Sequence, residues 1–225
     1  MTKIQLNRNI LILHLTILIW GFTGILGSLI SVSALHLVWY RVAIASIALL
    51  IYFLVTKQSI VVSRKQFLQF FMVGAVVGLH WVLFFYSIKV STVSVTLVTL
   101  SSVTLFTAIL EPIVNKKRIA LLDIVVGLVI IIGIYTIFSF ETHYLVGLLA
   151  GLGCAFCASI FSIANARMVK KSSPTLITFY EMMGACFWIS ILMLFTGDFN
   201  AEMKLGQQDL IYLLLLGVVC TAVAY

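Results

Sequence analysis

The chain has 225 residues, of which 63% are hydrophobic and only 9% are charged. Soluble domains carry about 25% charged residues, so the composition excludes a water-soluble domain, and in hydrocarbon only helices and closed barrels satisfy every backbone polar group. The net charge of +7 would suit a nucleic-acid binder, but the charges lie in short clusters between apolar segments, which is typical of membrane proteins.

Eight apolar segments follow one another along the chain, each near the roughly 20 residues that a helix needs to cross a bilayer. They cover residues 10–30, 34–55, 67–88, 91–113, 119–139, 144–168, 174–196 and 210–225. The segments lack the alternating polarity of barrel strands. The sequence therefore predicts an all-α, polytopic transmembrane helical bundle, whose first segment is too long for a signal-peptide core and remains as a membrane helix.

The basic residues between these segments alternate from one side to the other. Eleven fall on one side, namely Lys3, Arg8, Lys57, Arg64, Lys65, Lys116, Lys117, Arg118, Arg167, Lys170 and Lys171. The other side carries Lys89 and Lys204, and Arg41 lies within the second segment. Because cytoplasmic connections are rich in Lys and Arg, we predict a multi-pass protein of the plasma (inner) membrane with a cytoplasmic N-terminus.

The first segment contains Trp20 near its centre, away from the interfaces where Trp is common. Gly21, Gly24 and Gly27 follow at intervals of three and line one face. Such glycines permit close helix contact or mark a local break that exposes backbone to substrate, and close contact is the favoured interpretation. Trp20 is a candidate residue of the substrate path, with packing as the alternative.

Among the ionisable side chains inside apolar segments, Arg41, His80 and Glu181 are the candidates for function, since an ionisable group there costs about 2.5–3.5 kcal/mol. Arg41 lies near 10 Å deep from one side, and it either faces the interior or extends its long side chain to the headgroups. Glu181 lies at a similar depth from the other side. It is either a proton-linked carboxylate or a side chain that forms hydrogen bonds to polar neighbours on other helices. His80, near the midplane, is either a ligand for substrate or protons or a structural histidine.

The fourth segment is the richest in hydroxyl groups, at Ser91, Thr92, Ser94, Thr96, Thr99, Ser101, Ser102, Thr104 and Thr107. This pattern predicts a central helix that lines the substrate path, and Ser101 is its candidate path residue. The alternative is that the hydroxyl groups bond to carbonyls of their own helix. Tyr86 and Tyr180 are either interfacial anchors or, for Tyr180 beside Glu181, a cavity residue.

Cys154 and Cys157 have the spacing of redox and metal sites. They stand, however, in a run of Gly, Ala and Ser within an apolar segment, which favours small-residue helix packing. No metal site and no cofactor are predicted.

A weak internal repeat relates the two parts of the chain. The stretch 37–41 in the second segment corresponds to 177–181 in the seventh, and 73–77 in the third corresponds to 216–220 in the eighth. The repeating unit has five helices, so consecutive copies cross the membrane in opposite directions. Inverted repeats are typical of secondary transporters, which place their substrate near the midplane between the halves.

Several short motifs, taken in order, carry a family resemblance. They are Trp20-Gly21, Tyr40-Arg41 with Ala45, Phe84-Phe85-Tyr86, and Gly127 through Gly133-Ile134-Tyr135. In this the chain resembles the EamA family of the drug/metabolite transporter (DMT) superfamily. The resemblance implies ten helices in two five-helix repeats, with 1–140 as the first and 141–225 as an incomplete second of about three helices. It also implies a carrier that exports or exchanges small metabolites or drugs, and no enzyme.

The chain departs from the family pattern in three places. The fourth segment has Ser101-Ser102 where a proline is frequent, which predicts a less kinked helix. The usual Gly-Glu-Arg ending is replaced by 115–118, so its glutamate is not carried over, and Glu111 is at best a displaced substitute. The last segment, from Leu210, rises only about 24 Å as a helix, so we expect a fragment whose coding DNA continues in frame.

A transporter is the favoured function, with a small-molecule substrate, the bilayer and protons as partners, no nucleic acid, and a homodimer left open. A polytopic receptor or scaffold is the first alternative. A membrane-embedded enzyme ranks lower because it needs clustered carboxylates or histidines. The histidines and the aspartate of the apolar segments and connections are scattered instead, namely His14, His36, His80, His143 and Asp123.

Overall fold

The computed structural model of the protein describes residues 8–116, 121–140, 142–200 and 205–223. Within these ranges the chain forms helices and no strand, as predicted. The helices are α1 (Arg8–Leu29), α2 (Ala34–Thr56), α3 (Arg64–Val90), α4 (Val93–Leu100), α5 (Val103–Asn115), α6 (Leu121–Phe140), α7 (Leu145–Met168), α8 (Pro174–Thr196) and α9 (Gln207–Leu214), which continues as a π-helix over Leu215–Val223. Short 3-10 helices occupy Thr142–Tyr144 and Asp198–Asn200.

Membrane spans account for most of this helical structure. Among the described residues, six spans are long and apolar enough to cross a bilayer, the fourth of them made of α4 and α5, and two shorter apolar helices cover Leu121–Thr136 and Gln207–Val223. Together they match the eight predicted segments.

Serine side chains cap the N-termini of three helices, α2, α3 and α8. Ser33 accepts a hydrogen bond from the backbone N–H of His36, and Ser173 accepts one from Leu176. Ser63 and Gln66 form a reciprocal capping box at the start of α3. Each cap satisfies backbone donors that have no partner within the first turn of a helix.

The fourth span, predicted to be less kinked without proline, is interrupted by a turn at Ser101 and Ser102. The α-helix stops at Leu100 and begins again at Val103. Ser101 Oγ donates to the Val98 carbonyl at 2.6 Å, and Ser102 Oγ donates to the Thr99 carbonyl at 2.6 Å. Serine hydroxyls that bond to nearby carbonyls compete with helical hydrogen bonds, so two consecutive serines interrupt the helix here without proline.

The helices that carry Arg41 and Glu181 run in opposite directions. Trp39, near the start of α2, donates a hydrogen bond to Ser190 in the second half of α8 at 2.8 Å. Phe53, near the end of α2, packs against Phe179 near the start of α8, with ring centroids 5.5 Å apart. This antiparallel arrangement is the one that an odd-numbered repeat requires.

The two ends of the bundle differ in charge. One end, called here the basic end, joins the end of α5 to the end of α7 through Arg167 and Asn115, and the start of α3 to the α7–α8 connection through Gln66 and Ser172. The described basic residues at this end are Arg8, Lys57, Arg64, Lys65, Lys116, Arg167, Lys170 and Lys171. Lys89 lies at the opposite end, whereas Lys3, Lys117, Arg118 and Lys204 lie outside the described residues.

Helix α3 is the centre of the bundle and packs against both α7 and α8. Small side chains on α7 allow its close approach, and among them Cys154 and Ala155 are completely buried. Cys154 and Cys157 are buried free thiols on α7, and Cys154 lies against His80 of α3, in agreement with the prediction of small-residue packing. Such packing is what brings membrane helices together in the absence of a hydrophobic driving force between them.

Two glycine contacts repeat the same geometry in the two parts of the chain. A Cβ atom at Gly74 of α3 would lie 2.4 Å from the Glu181 carbonyl oxygen and 3.0 Å from Gly184 of α8. A Cβ atom at Gly217 of the π-helix would lie 3.1 Å from the Arg41 carbonyl oxygen and 2.6 Å from Ile44 of α2. Each glycine thus meets the backbone of the buried ionisable residue and the side of the helix three residues later, in the register that the sequence repeat predicts.

Candidate functional site

Arg41 is fully buried in the bundle, at 0% exposure. Its guanidinium carbon lies 3.5 Å from the centroid of the Trp81 ring, and its Nε donates to Thr221 Oγ1 at 2.7 Å. The Nη2 group also lies 3.5 Å from the Cys220 carbonyl oxygen. The alternative in which Arg41 extends to the headgroups is therefore wrong, because the aromatic face and the hydroxyl hold the cation inside the protein.

The π-helical part of α9 supplies the hydrogen-bond acceptors for Arg41. Thr221 Oγ1 donates to the carbonyl of Leu216, five residues earlier, at 2.7 Å. Its oxygen lone pairs are then free to accept the Arg41 N–H. Short π-helical segments are frequent at functional sites because they redirect side chains and carbonyls.

His80 lies next to Trp81 on α3 and is also buried. Its Nδ1 atom lies 3.0 Å from the carbonyl oxygen of Cys154 on α7, and its ring packs edge-on against Trp81 with centroids 4.9 Å apart. This contact matches the structural alternative, in which the histidine bonds to a neighbouring helix. His80 therefore connects α7 to the aromatic ring on which Arg41 lies.

Glu181 is the second fully buried ionisable residue, at 0% exposure. Its Oε2 atom accepts a hydrogen bond from Asn165 Nδ2 on α7 at 3.3 Å. Its Oε1 atom and Asn165 Oδ1 are buried without a hydrogen-bond partner among the described residues. Asn165 thus binds Glu181 across the α7–α8 contact and leaves one oxygen on each side chain unsatisfied.

The two buried charges form separate clusters. Arg41 lies in the first turns of α2, near the end opposite the basic end, and Glu181 lies in the first turns of α8, near the basic end. Since the two helices are antiparallel, these depths place the clusters in different halves of the bundle.

The other candidate residues lie at the edge of the bundle. Trp20, Tyr86 and Ser101 are exposed on the outer face. Tyr180 is half-buried, and its hydroxyl donates to the carbonyl of Ile60 at 2.7 Å, which fastens the α2–α3 connection to α8. The structure therefore brings none of these four side chains to Arg41.

The glycines of α1 differ in their surroundings. Gly24 and Gly27 face Val93 and Phe85, whereas nothing lies within 4 Å of a Cβ atom placed at Gly21. Two of the three glycines thus permit the close contact that was favoured from the sequence.

Several cavities lie between helices near the basic end, and three of them adjoin the fourth span or Tyr180. The largest, about 650 Å³, lies between α5, α6 and α7 and is lined by Thr104, Thr107, Glu111 and Asp123, among others. A cavity of about 430 Å³ shares two of these residues, and one of about 390 Å³ lies between α2 and α8 beside Tyr180. Hydroxyl groups of the fourth span thus line a cavity, whereas Arg41, His80 and Glu181 line none of the three.

The end opposite the basic end is held by polar contacts between connections. The Ser31 N–H donates to Asp209 Oδ1 at 2.9 Å, and its hydroxyl donates to Asp209 Oδ2. Lys89 Nζ donates to the Ile30 carbonyl, and His36 Nε2 lies 3.0 Å from the Asp198 carbonyl oxygen. These contacts tie α1, α2, α3 and α9 together at this end.

Sequence reasoning missed the partners of both buried charges. Trp81 and Thr221 surround Arg41, and Asn165 binds Glu181. Asn165 carried a usable signal, since an amide within an apolar segment needs a partner from another helix. Trp81 and Thr221 gave no such signal in the sequence, because the direction in which each side chain points depends on the rotation of its helix. Among the described residues, no three His, Cys, Asp or Glu side chains are grouped so that they could hold a metal ion.

Comparisons with known proteins agree with this architecture. The model of the EamA-like transporter family matches residues 7–139 and 145–225. The structure is also similar to a solved chain described only as a crystal structure of a protein, with a TM-score of 0.68 and 14% sequence identity, covering 95% of this chain and 75% of that one. At this identity the likeness shows the fold alone. No curated protein matches the sequence.

Proposed function

We propose that this chain, which belongs to the EamA-like transporter family of the DMT superfamily, is a secondary carrier that exports or exchanges small molecules. Its membership makes it a multi-pass membrane protein of a transporter family and not of an enzyme family. The observation that carries the proposal is the antiparallel pair of α2 and α8 with its two equivalent glycine contacts. Inverted repeats with this geometry form substrate sites at the interface between halves, near the midplane.

We further propose which residues serve the substrate path and the coupling ion. Arg41 and His80 both contact Trp81 in the interior, and Glu181 is a fully buried carboxylate. Intramembrane ionisable residues commonly mark substrate and proton pathways. In this proposal Glu181 carries the coupling proton, and Trp20, Tyr86, Ser101 and Tyr180 contribute from the periphery as the halves move.

Substitution of Glu181 by glutamine is expected to abolish transport driven by a pH gradient. The amide keeps the shape and polarity of the side chain but cannot bind and release a proton. The full-length protein is reconstituted in vesicles, and efflux of a panel of labelled amino acids, organic acids and nucleobases is followed with and without a pH gradient. We expect at least a tenfold loss of gradient-driven efflux in Glu181→Gln.

The matched control is Asp198→Asn, which removes a carboxylate at the opposite end of the bundle. This variant should transport as the unaltered protein does. If efflux by the unaltered protein ignores the pH gradient and the Glu181 substitution has no effect, proton coupling at Glu181 is wrong. If no solute is moved under any condition, the carrier proposal itself fails.

We propose the plasma membrane as the location, with the basic end in the cytoplasm. The described basic residues at this end support this, since Lys and Arg are retained in cytoplasmic connections. Lys171→Cys should react with a membrane-impermeant maleimide only in inverted vesicles, and His143→Cys should react only in intact cells. Both positions are exposed. Labelling of the Lys171→Cys variant from outside intact cells would contradict this orientation.

A further inference from the structure

Two unsatisfied oxygens lie on facing side chains in the α7–α8 contact. Asn165 Nδ2 donates to Glu181 Oε2, yet Glu181 Oε1 and Asn165 Oδ1 have no hydrogen-bond donor among the residues that the structure describes. A buried polar group without a partner costs about 1–3 kcal/mol, and an ionised carboxylate costs more. Glu181 Oε1 and Asn165 Oδ1 therefore need a hydrogen-bond donor that the neighbouring side chains do not supply.

None of the titratable or charged groups on the packed helices supplies that donor. On α3, His80 binds the carbonyl of Cys154. On α2, Arg41 lies over Trp81. On α7, Arg167 binds Val114 and Asn115.

On α8 itself and at its far end, the titratable groups are likewise engaged elsewhere. Tyr180, the immediate neighbour of Glu181, donates to Ile60. Asp198, in the 3-10 helix that follows α8, accepts a hydrogen bond from Thr196. The missing donor must therefore be a bound species.

The packing around Glu181 limits the size of that species. The side chain of Glu181 is fully buried, and neither Glu181 nor Asn165 lines any of the three cavities described above. Metal cations such as Ca²⁺ take six or more oxygen ligands, and here two oxygens await a donor. A proton is the cation that fits.

We propose that Glu181 and Asn165 together form the proton-binding site, as a reciprocal pair of a carboxylic acid and an amide. The proton comes from water and binds Glu181 Oε1, which then donates to Asn165 Oδ1 while Asn165 Nδ2 donates to Oε2. One proton thus satisfies both unpartnered oxygens. On release the two facing oxygens are acceptors only, and the α7–α8 contact loses one of its two hydrogen bonds. Asn165 acts as a positioning residue, and the inference rests on the proposed proton coupling.

The pair is tested by infrared spectroscopy of the full-length protein in lipid. A protonated carboxyl group has a C=O stretching band that a carboxylate lacks, and hydrogen bonding to the C=O lowers its frequency. We expect such a band at neutral pH, its loss in Glu181→Gln, and a shift to higher frequency in Asn165→Leu. Ser190→Ala, which removes a different cross-helix hydrogen bond on α8, should leave the band unchanged.

Two results would overturn the pair. If Glu181→Gln removes no carboxyl band, Glu181 is ionised in this conformation. If the band is present but does not shift in Asn165→Leu, Asn165 is not its partner, and the proposed proton coupling stands without it. Asn165→Thr, which keeps one hydroxyl, should give a smaller shift and serves if the leucine variant does not fold. A shifted band together with transport that ignores the pH gradient supports the pair and rejects the coupling.

Discussion

Arg41→Ala is expected to lower the free energy of unfolding by about 3–5 kcal/mol, the range for breaking a buried charged interaction. The substitution removes the stacking of the guanidinium on Trp81 at 3.5 Å, which is worth about 2 kcal/mol when desolvated. It also removes the hydrogen bond to Thr221, and a charged donor contributes about 1.5–3 kcal/mol. The free energy is measured by titration with a denaturing detergent in mixed micelles.

The stacking contribution is isolated by a double-mutant cycle between Arg41 and Trp81. Arg41→Ala, Trp81→Leu and the double variant should show a coupling free energy of about 2 kcal/mol. Arg41→Lys keeps the charge but lacks the planar guanidinium, which stacks on Trp81 and donates a hydrogen bond from its edge to Thr221. The lysine variant should therefore recover less than half of the unfolding free energy that Arg41→Ala loses. If Arg41→Ala changes stability by less than about 0.5 kcal/mol, the range of ordinary surface substitutions, then the contacts of Arg41 with Trp81 and Thr221 do not stabilise the bundle.

Gly74→Ala is expected to destabilise the protein by about 1–3 kcal/mol, the usual cost of overpacking, and Gly74→Leu should prevent folding. The added Cβ atom would lie 2.4 Å from the Glu181 carbonyl oxygen and 3.0 Å from the backbone of Gly184. Both neighbours are backbone atoms, so they cannot yield by a change of rotamer. α3 and α8 must move apart, which opens the contact around Glu181. Unfolding in detergent and the yield of folded protein measure the effect.

Gly21→Ala is the matched control for this prediction. Gly21 is also a glycine within a membrane helix, but nothing lies within 4 Å of a Cβ atom there. Alanine should therefore be neutral or stabilising by about 0.5–1 kcal/mol, because it restricts the unfolded chain. Equal losses at the two positions would show that helix propensity, and not the α3–α8 contact, governs the response at Gly74.

The positions of the membrane helices could be predicted because apolar length is a property of the chain itself. A helix that crosses hydrocarbon needs a fixed number of apolar residues whatever its neighbours are. The internal repeat could also be predicted, because residues 37–41 and 177–181 begin at the same distance from the start of their segments. The interruption at Ser101 was not predicted, since the alternative hydrogen bonds of two consecutive serines were weighed less than the missing proline.

The candidate site could be predicted only in part. Arg41 and Glu181 stand out in apolar segments because burying a charge is expensive, and both are fully buried. Trp20, Tyr86 and Ser101 were chosen from their residue type and their position along a segment, yet they are exposed on the outer face. Depth along a helix is fixed by residue number, whereas the side that a residue faces depends on helix rotation.

The sequence by itself determined that this is an all-α membrane protein of inverted repeats and that Arg41 and Glu181 lie within its apolar segments. The tertiary structure alone decided that Arg41 lies on Trp81 and binds Thr221, and that Glu181 binds Asn165. The physical reason is that solvent preference acts on each segment separately. The partner of a buried charge, by contrast, is set by how closely two helices approach and how each is rotated, which glycines such as Gly74 and Gly217 determine only once the helices are packed together.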